Sequence, residues 1–151
     1  MQLDPIDRRI LAALQRDATV SHDRLGEEVG LSRNACWRRV RALEDAGYIA
    51  GRVALVDPAR IDLALTVFLM IRTDRHAPDW LDSFAKATRE MPEVLGAYRM
   101  SGDLDYLVRL RVADVASYDR FYQRLIRRVE MADCSASFVM EELKETTVLP
   151  V

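Results

Sequence analysis

The sequence predicts an α+β protein in two units: a helix-turn-helix N-terminal part, then a ferredoxin-like β-α-β-β-α-β domain. Three observations carry this. Apolar residues in the first third recur at helical spacing between capping residues. Two of those helices are separated by little more than Gly30-Leu31. The rest of the chain alternates apolar strands with amphipathic helices. A length of 151 residues suits one medium domain or two small ones, and an apolar half of the composition suffices for ordinary cores.

Each element has a local cause. Asp4 followed by Pro5 is a helix start, and Ile6, Ile10, Leu11 and Leu14 follow at helical spacing before a break at residues 17–19. Ser21 caps a second helix with Leu25 and Val29 inside, and Gly30 ends it. Ser32 caps a third, with Cys36, Val40 and Leu43 inside and Gly47 as terminator. Residues 48–56 are β-prone with a glycine turn and read as a short wing or connecting strand. Asp57-Pro58 interrupts regular structure. The expected boundaries are therefore residues 1–50 for the first domain, 51–62 for a linker and 63–151 for the second domain.

In that second domain, strands are expected at 63–73, 94–100, 105–112 and 134–142. Helices are expected at 78–91, with Trp80, Leu81, Phe84 and Thr88 on one side, and at 114–129, with Val115, Tyr118, Tyr122, Leu125 and Val129 on one side. Both helices lie on one face of such a sheet. The strands are apolar in both directions, as at Val67, Phe68, Leu69 and Met70, so a second subunit is expected on the open face.

The net charge of −2 does not announce a polyanion binder, but one short element can carry all the contacts. The third helix has that character. Cys36, Val40 and Leu43 share one face, Asn34, Arg38, Arg41 and Asp45 lie opposite, and Trp37 sits at the margin. Four arginines and no acid fall between Arg33 and Arg41. A capped helix after a tight turn, apolar inside and Asn/Arg outside, fits a recognition helix for double-stranded DNA. Asn34 and Arg38 are the candidate base contacts, and Arg33, Arg39 and Arg41 the candidate phosphate contacts. Ser32 and Trp37 complete the candidate set, Trp37 chiefly as a packing residue. The plainer reading is a solvated face with arginines paired to Glu27, Glu28, Glu44 or Asp45.

The segments LDPIDRRILAALQRDA and SRNACWRRVRALEDAGYI, then GRVALVDPARIDL, MPEVLGAYRMSGDLDYLVRLRVAD and FVMEELKETTVLP, together resemble the leucine-responsive/AsnC (feast/famine) regulator family over essentially the whole chain. The resemblance implies a winged helix-turn-helix, a β-strand linker and a ferredoxin-like effector domain. It also implies homodimers through the sheet faces that assemble to octamers, and an amino-acid effector held near the turn between the second and third strands of that domain. Here that turn is Ser101-Gly102-Asp103-Leu104-Asp105, with Met100 before it; Ser135 and Ser137 are further effector candidates. On spacing alone the same turn reads as a plain hairpin. The chain departs from the family pattern at Arg33-Asn34-Ala35, where a proline is common, so operator sequence does not carry over. Cys36-Trp37, VALVDP, MPEVLG and KETTVLP are most similar to the branch that regulates cysteine detoxification, which makes L-cysteine the first ligand to consider.

The remaining signals mostly exclude. Cys36 and Cys134 make no CxxC pair and no disulfide framework. Cys36 reads as a core residue; Cys134 is a thiol-sensing candidate. His22 and His76 have no ligand-like spacing to a cysteine, so no metal is expected, and no catalytic set or cofactor fingerprint occurs. A charged start, MQLDPIDRRI, and no apolar run long enough for a membrane make a cytoplasmic location the expectation. Two other functions stay open at this point: an architectural protein that wraps DNA with weak specificity, and a small ferredoxin-like enzyme.

Overall fold

The computed structural model describes residues 2–73 and 78–151. The element order is α1 (Pro5–Arg16), α2 (His22–Val29), α3 (Arg33–Asp45), a 3₁₀ turn at Pro58–Ile61, β1 (Leu65–Arg72), α4 (Pro78–Glu90), β2 (Val94–Arg99), β3 (Tyr106–Val112), α5 (Val115–Ile126) and β4 (Asp133–Phe138). The expected His76 lies outside the described residues. The chain divides into two compact units. One comprises the residues up to Leu55 together with Leu143–Val151; the other is Val56–Glu142.

In the first unit the caps act as the sequence suggests. The Asp4 carboxylate accepts from the backbone N–H groups of Ile6 and Asp7, and the Asp7 carboxylate accepts from the N–H of Asp4, a reciprocal capping box. Ser21 and Ser32 cap α2 and α3 through the N–H groups of Arg24 and Ala35. Gly30 ends α2 with φ 76°, a left-handed conformation that costs a residue with Cβ about 1–2 kcal/mol. Ile10, Leu11, Ala13, Leu25, Val29, Cys36, Val40 and Leu43 form one buried cluster between the three helices.

Residues 48–56 are a correction. Among the described residues no β-ladder involves this stretch, so the expected strand is not paired within one chain. Val53 (79 % exposed) and Leu55 (75 %) accordingly stand in solvent.

The second unit holds a four-stranded antiparallel sheet in the order β2-β3-β1-β4, as the β-α-β-β-α-β pattern requires. Val67, Leu69 and Ile71 of β1, with Tyr106, Val108, Leu110 and Val112 of β3, pack against α4 and α5. Trp80 stacks on Phe84 and Tyr106 packs tilted against both, with ring centroids 4.8–5.3 Å apart, and the Trp80 indole N–H donates to the carbonyl of Glu130. Two helix faces differ slightly from expectation. On α5 Phe121 is fully buried and Val115 is exposed; on α4 Ala87 is buried and Leu81 exposed. The buried stripe keeps Trp80, Phe84, Thr88, Leu125 and Val129 as expected, and differs only at its edges, where Ala87 and Phe121 take the places of Leu81 and Val115. Residues 143–151, expected with the second domain, group instead with the first unit.

Candidate nucleic-acid interface and effector turn

The α2–α3 turn brings the chain very close to itself. The Leu31 N–H donates to the carbonyl of Gly26 at 2.8 Å, and a Cβ on Gly26 would sit 2.7 Å from the Leu31 oxygen. Gly26 is therefore the residue that lets α3 leave α2 so abruptly. Sequence reasoning missed it because a glycine inside a short helix reads only as a weak helix former. At the far end of α3, Tyr48 N–H donates to Leu43 and Gly47 N–H to Glu44, with Gly47 at φ 76°, a Schellman stop.

Cys36, Val40 and Leu43 bury one face of α3, and Ser32, Arg33, Asn34, Trp37, Arg38 and Arg41 are exposed. The first turn of α3 has no acid, so its positive dipole end is left for an anion. Arg38 and Asn34 have no ion pair and no side-chain hydrogen bond among the described residues. Arg33 meets Asp23 only at 3.7 Å and Arg41 meets Glu44 at 3.7 Å, all with substantial exposure. Such loose surface pairs are worth little and exchange readily for a phosphate. The indole of Trp37 is about half exposed (51 %), more than a packing residue requires.

Arg39 is placed differently from the other arginines. Its guanidinium bonds Asp4 at 2.6 Å and Asp7 at 2.8 Å, and the Asp7 side chain is almost fully buried. The carboxylate of Asp4 is held below its ordinary 3.8 by the Asp7 N–H and then by Arg39. Arg39 therefore ties α3 to the start of α1, and unlike Arg33, Arg38 and Arg41 its guanidinium is already engaged by two carboxylates. The signal was invisible locally because its partners lie 35 and 32 residues away.

In the second unit the turn after β2 closes with the Met100 N–H donating to the Asp105 carbonyl. Gly102 has φ 102°, which favours glycine, and open space around it. The Asp105 carboxylate accepts from the Thr73 N–H, and the Arg72 Nε–H donates to the Asp103 carbonyl at 2.8 Å. Arg72 also faces Asp133 at 3.7 Å. Arg72 and Thr73 are the residues that sequence reasoning missed: the end of β1 holds the turn in place. The side chains of Ser101 and Asp103 remain exposed.

Register places Ser135 beside Met70 and Ser137 beside Phe68, on the sheet face away from the helices. Cys134, one residue on, faces the helices near Tyr118. The turn, Arg72 and Ser135 thus share one end of the sheet; Ser137 lies about 7 Å further along its strand. Cys134 is half-buried, and burial followed by the nearby Asp133 pushes its pKa up to about 11. A protonated, sheltered thiol is poorly nucleophilic, which weighs against thiol sensing. Burial likewise raises the Cys36 thiol. Among the described residues no group of three His, Cys, Asp or Glu is placed to hold a metal ion, and no helix is long and apolar enough to cross a membrane.

A family model described as "Lrp/AsnC ligand binding domain" matches residues 66–149, and one described as "Winged helix-turn-helix DNA-binding" matches residues 3–50. The chain is 51 % identical over 150 residues to a "Glutamate uptake regulatory protein" of Zymomonas mobilis, covering 99 % of this chain and 92 % of that one. It is 49 % identical over 150 residues to the "DNA-binding transcriptional activator DecR" of Escherichia coli, covering 99 % of each. A solved structure described as "Transcriptional Regulator NMB0573/L-Met Complex" from Neisseria meningitidis superposes with a TM-score of 0.94 at 35 % identity, covering 99 % of this chain and 97 % of that chain.

Proposed function

The chain belongs to the Lrp/AsnC family of transcription regulators, and on that premise we propose that it binds specific duplex DNA through α3 and regulates amino-acid metabolism in response to an amino acid. The observation that carries the DNA half is the outer face of α3. Asn34 and Arg38 are exposed and uncommitted on a helix whose other face is fully buried behind a tight turn. Asn and Arg are the side chains that pair bidentately with adenine and guanine edges in the major groove. In this reading Arg33 and Arg41 hold phosphates, Ser32 shapes the helix start, and Trp37 packs on the sugar-phosphate rim.

The effector half rests on the ligand-binding family model and on the L-methionine of the Neisseria complex. The turn from Met100 to Asp105 is its proposed site. Gly102 lets a ligand approach the backbone, Ser101 and Asp103 offer polar atoms, and Asp105 shapes the turn through Thr73. Ser135 and Ser137 line the adjoining open face. L-Cysteine, from the branch resemblance, is the first ligand to test, with L-methionine beside it. The open face makes a homodimer the working unit, assembling to an octamer. The relatives are named as regulators, so the protein is read as a cytoplasmic DNA-binding regulator and not an enzyme.

Binding to the DNA upstream of the protein's own coding sequence, against random duplex at moderate salt, tests this reading. We expect a clear preference, lost in Arg38→Ala, with a salt slope that reports several phosphate contacts. Equal affinity for both duplexes would overturn sequence-specific regulation and favour architectural wrapping. A thermal-shift screen of amino acids that moved with none of them would overturn the effector half.

A further inference from the structure

Residues 143–151 group with the three-helix unit, and the way they are held there is specific. The side-chain amide of Gln15, in the last turn of α1, makes a two-point pair with the backbone of Leu149. Its Nε2 donates to the Leu149 carbonyl at 3.1 Å, and its Oε1 accepts from the Leu149 N–H at 2.7 Å. An amide that bonds both polar groups of one residue reads an extended backbone, much as a neighbouring strand would. Around it is a cavity of about 350 Å³ lined on the helical side by Leu11, Leu14, Ala18 and Ile49. From the segment it is lined by Thr147, Leu149 and Val151, every second residue of an extended stretch, all of which keep an exposed outer surface. Pro150 lacks an N–H and so keeps the segment from recruiting a further strand.

We propose that the DNA-binding unit carries a peptide-docking groove whose occupant is this chain's own segment 143–151, with Gln15 as the residue that recognises it. The segment then works as a second tether. It follows β4, the strand that carries Ser135 and Ser137, and Glu142 at its root is anchored in the sheet unit by Thr66 and by Arg111. The Tyr48–Arg52 stretch after α3 lines the same cavity, so occupancy of the groove orders the chain immediately following the candidate recognition helix. The docking does not depend on the proposed DNA function; only its consequence for α3 rests on that reading.

The test uses the full chain and amide hydrogen exchange. In the wild type the Leu149 N–H is expected to exchange at least tenfold more slowly than an unstructured peptide of the same sequence. Gln15→Leu, which keeps bulk and removes both hydrogen bonds, should bring Leu149 close to the free-peptide rate. It should also speed exchange at residues 48–52 while leaving Ile10 and Val40 protected. A Leu149 amide that exchanges freely in the wild type, or one unmoved by Gln15→Leu, overturns the docking. DNA affinity of the same variant is read separately. A fall of several-fold with Arg38 intact supports the tether. Unchanged affinity, where the wild type does bind DNA specifically, overturns the consequence for α3 and leaves the docking result standing on the exchange data.

Discussion

Two side chains and one missing side chain govern the first unit. Gly26 should not tolerate even a methyl group. Gly26→Ala gains about 1 kcal/mol of helix propensity, yet its Cβ meets a backbone oxygen at 2.7 Å that cannot rotate away. Relief must come from shifting the turn, so a net loss of about 1–3 kcal/mol is expected in urea unfolding; a more stable variant would show that the turn is free to move. The charge at Asp4 makes a separate prediction. Its carboxylate is held below 3.8 in the folded protein by the Asp7 N–H and by Arg39. A depressed folded value stabilises above the unfolded value, and that stabilisation is lost as pH falls through the folded one. Asp4→Asn keeps the cap and drops the charge. Wild type should therefore exceed the variant in urea midpoint near neutral pH, and the gap should close as pH falls below the ordinary carboxylate range and through the lowered folded value; a constant gap at all pH values would contradict the charge argument. These residues also mark the limits of reading by eye along a chain. Asp4, Ser21, Ser32 and Gly30 were legible because a cap acts within three or four residues. Gly26 and Arg39 were not, since their reasons lie across a turn and across the bundle.

Among elements, α3 separates two kinds of arginine that look alike in sequence. Arg38 points to solvent and Arg39 bonds the start of α1. Arg38→Ala is expected to leave unfolding within about 0.5 kcal/mol of wild type while weakening binding to the specific duplex by about 1–3 kcal/mol and relaxing its preference over random duplex. Arg39→Ala should instead lower stability by about 2 kcal/mol, because it leaves the buried Asp7 carboxylate without its cation. Its loss of DNA binding should follow the loss of fold. Parallel unfolding and binding curves for the two variants check this, and identical behaviour would mean that the division is wrong. The strand-and-helix order of the second unit was legible because period-two and period-3.6 patterns are strong over six or more residues. The faces of α4 and α5 were less so. Val115 and Phe121 both fit an apolar stripe, and only the sheet beneath decides which is buried. The strand expected at 48–56 failed for a related reason: β-propensity supplies residues suited to a ladder but not the partner that makes one.

At the scale of the molecule the sheet face turned away from the helices is an apolar surface without a cover among the described residues. Met70 and Leu107 pair in register there and Phe68 lies two residues along β1 opposite Arg109, all half-buried within one chain, with Tyr98 exposed on the edge strand beside Leu107. Among the described residues no helix covers them, because α4 and α5 pack on the Val67–Leu69–Ile71 side. A patch of this kind is expected to bury against a second copy, and a stable contact needs roughly 800 Å² from each partner. Leu107→Glu puts a carboxylate at the centre of the patch without touching the buried core, so the isolated fold should survive with unchanged circular dichroism. Sedimentation should then report a species of 17.3 kDa in place of an oligomer. The DNA consequence follows from geometry. A dimer presents two recognition helices to two half-sites, and binding through both multiplies their affinities. Leu107→Glu should therefore weaken binding to a two-half-site duplex by far more than binding to a single half-site, although α3 is unaltered. An unchanged sedimentation mass would move the dimer contact away from this face, and an equal loss on both duplexes would mean that the two heads do not act together.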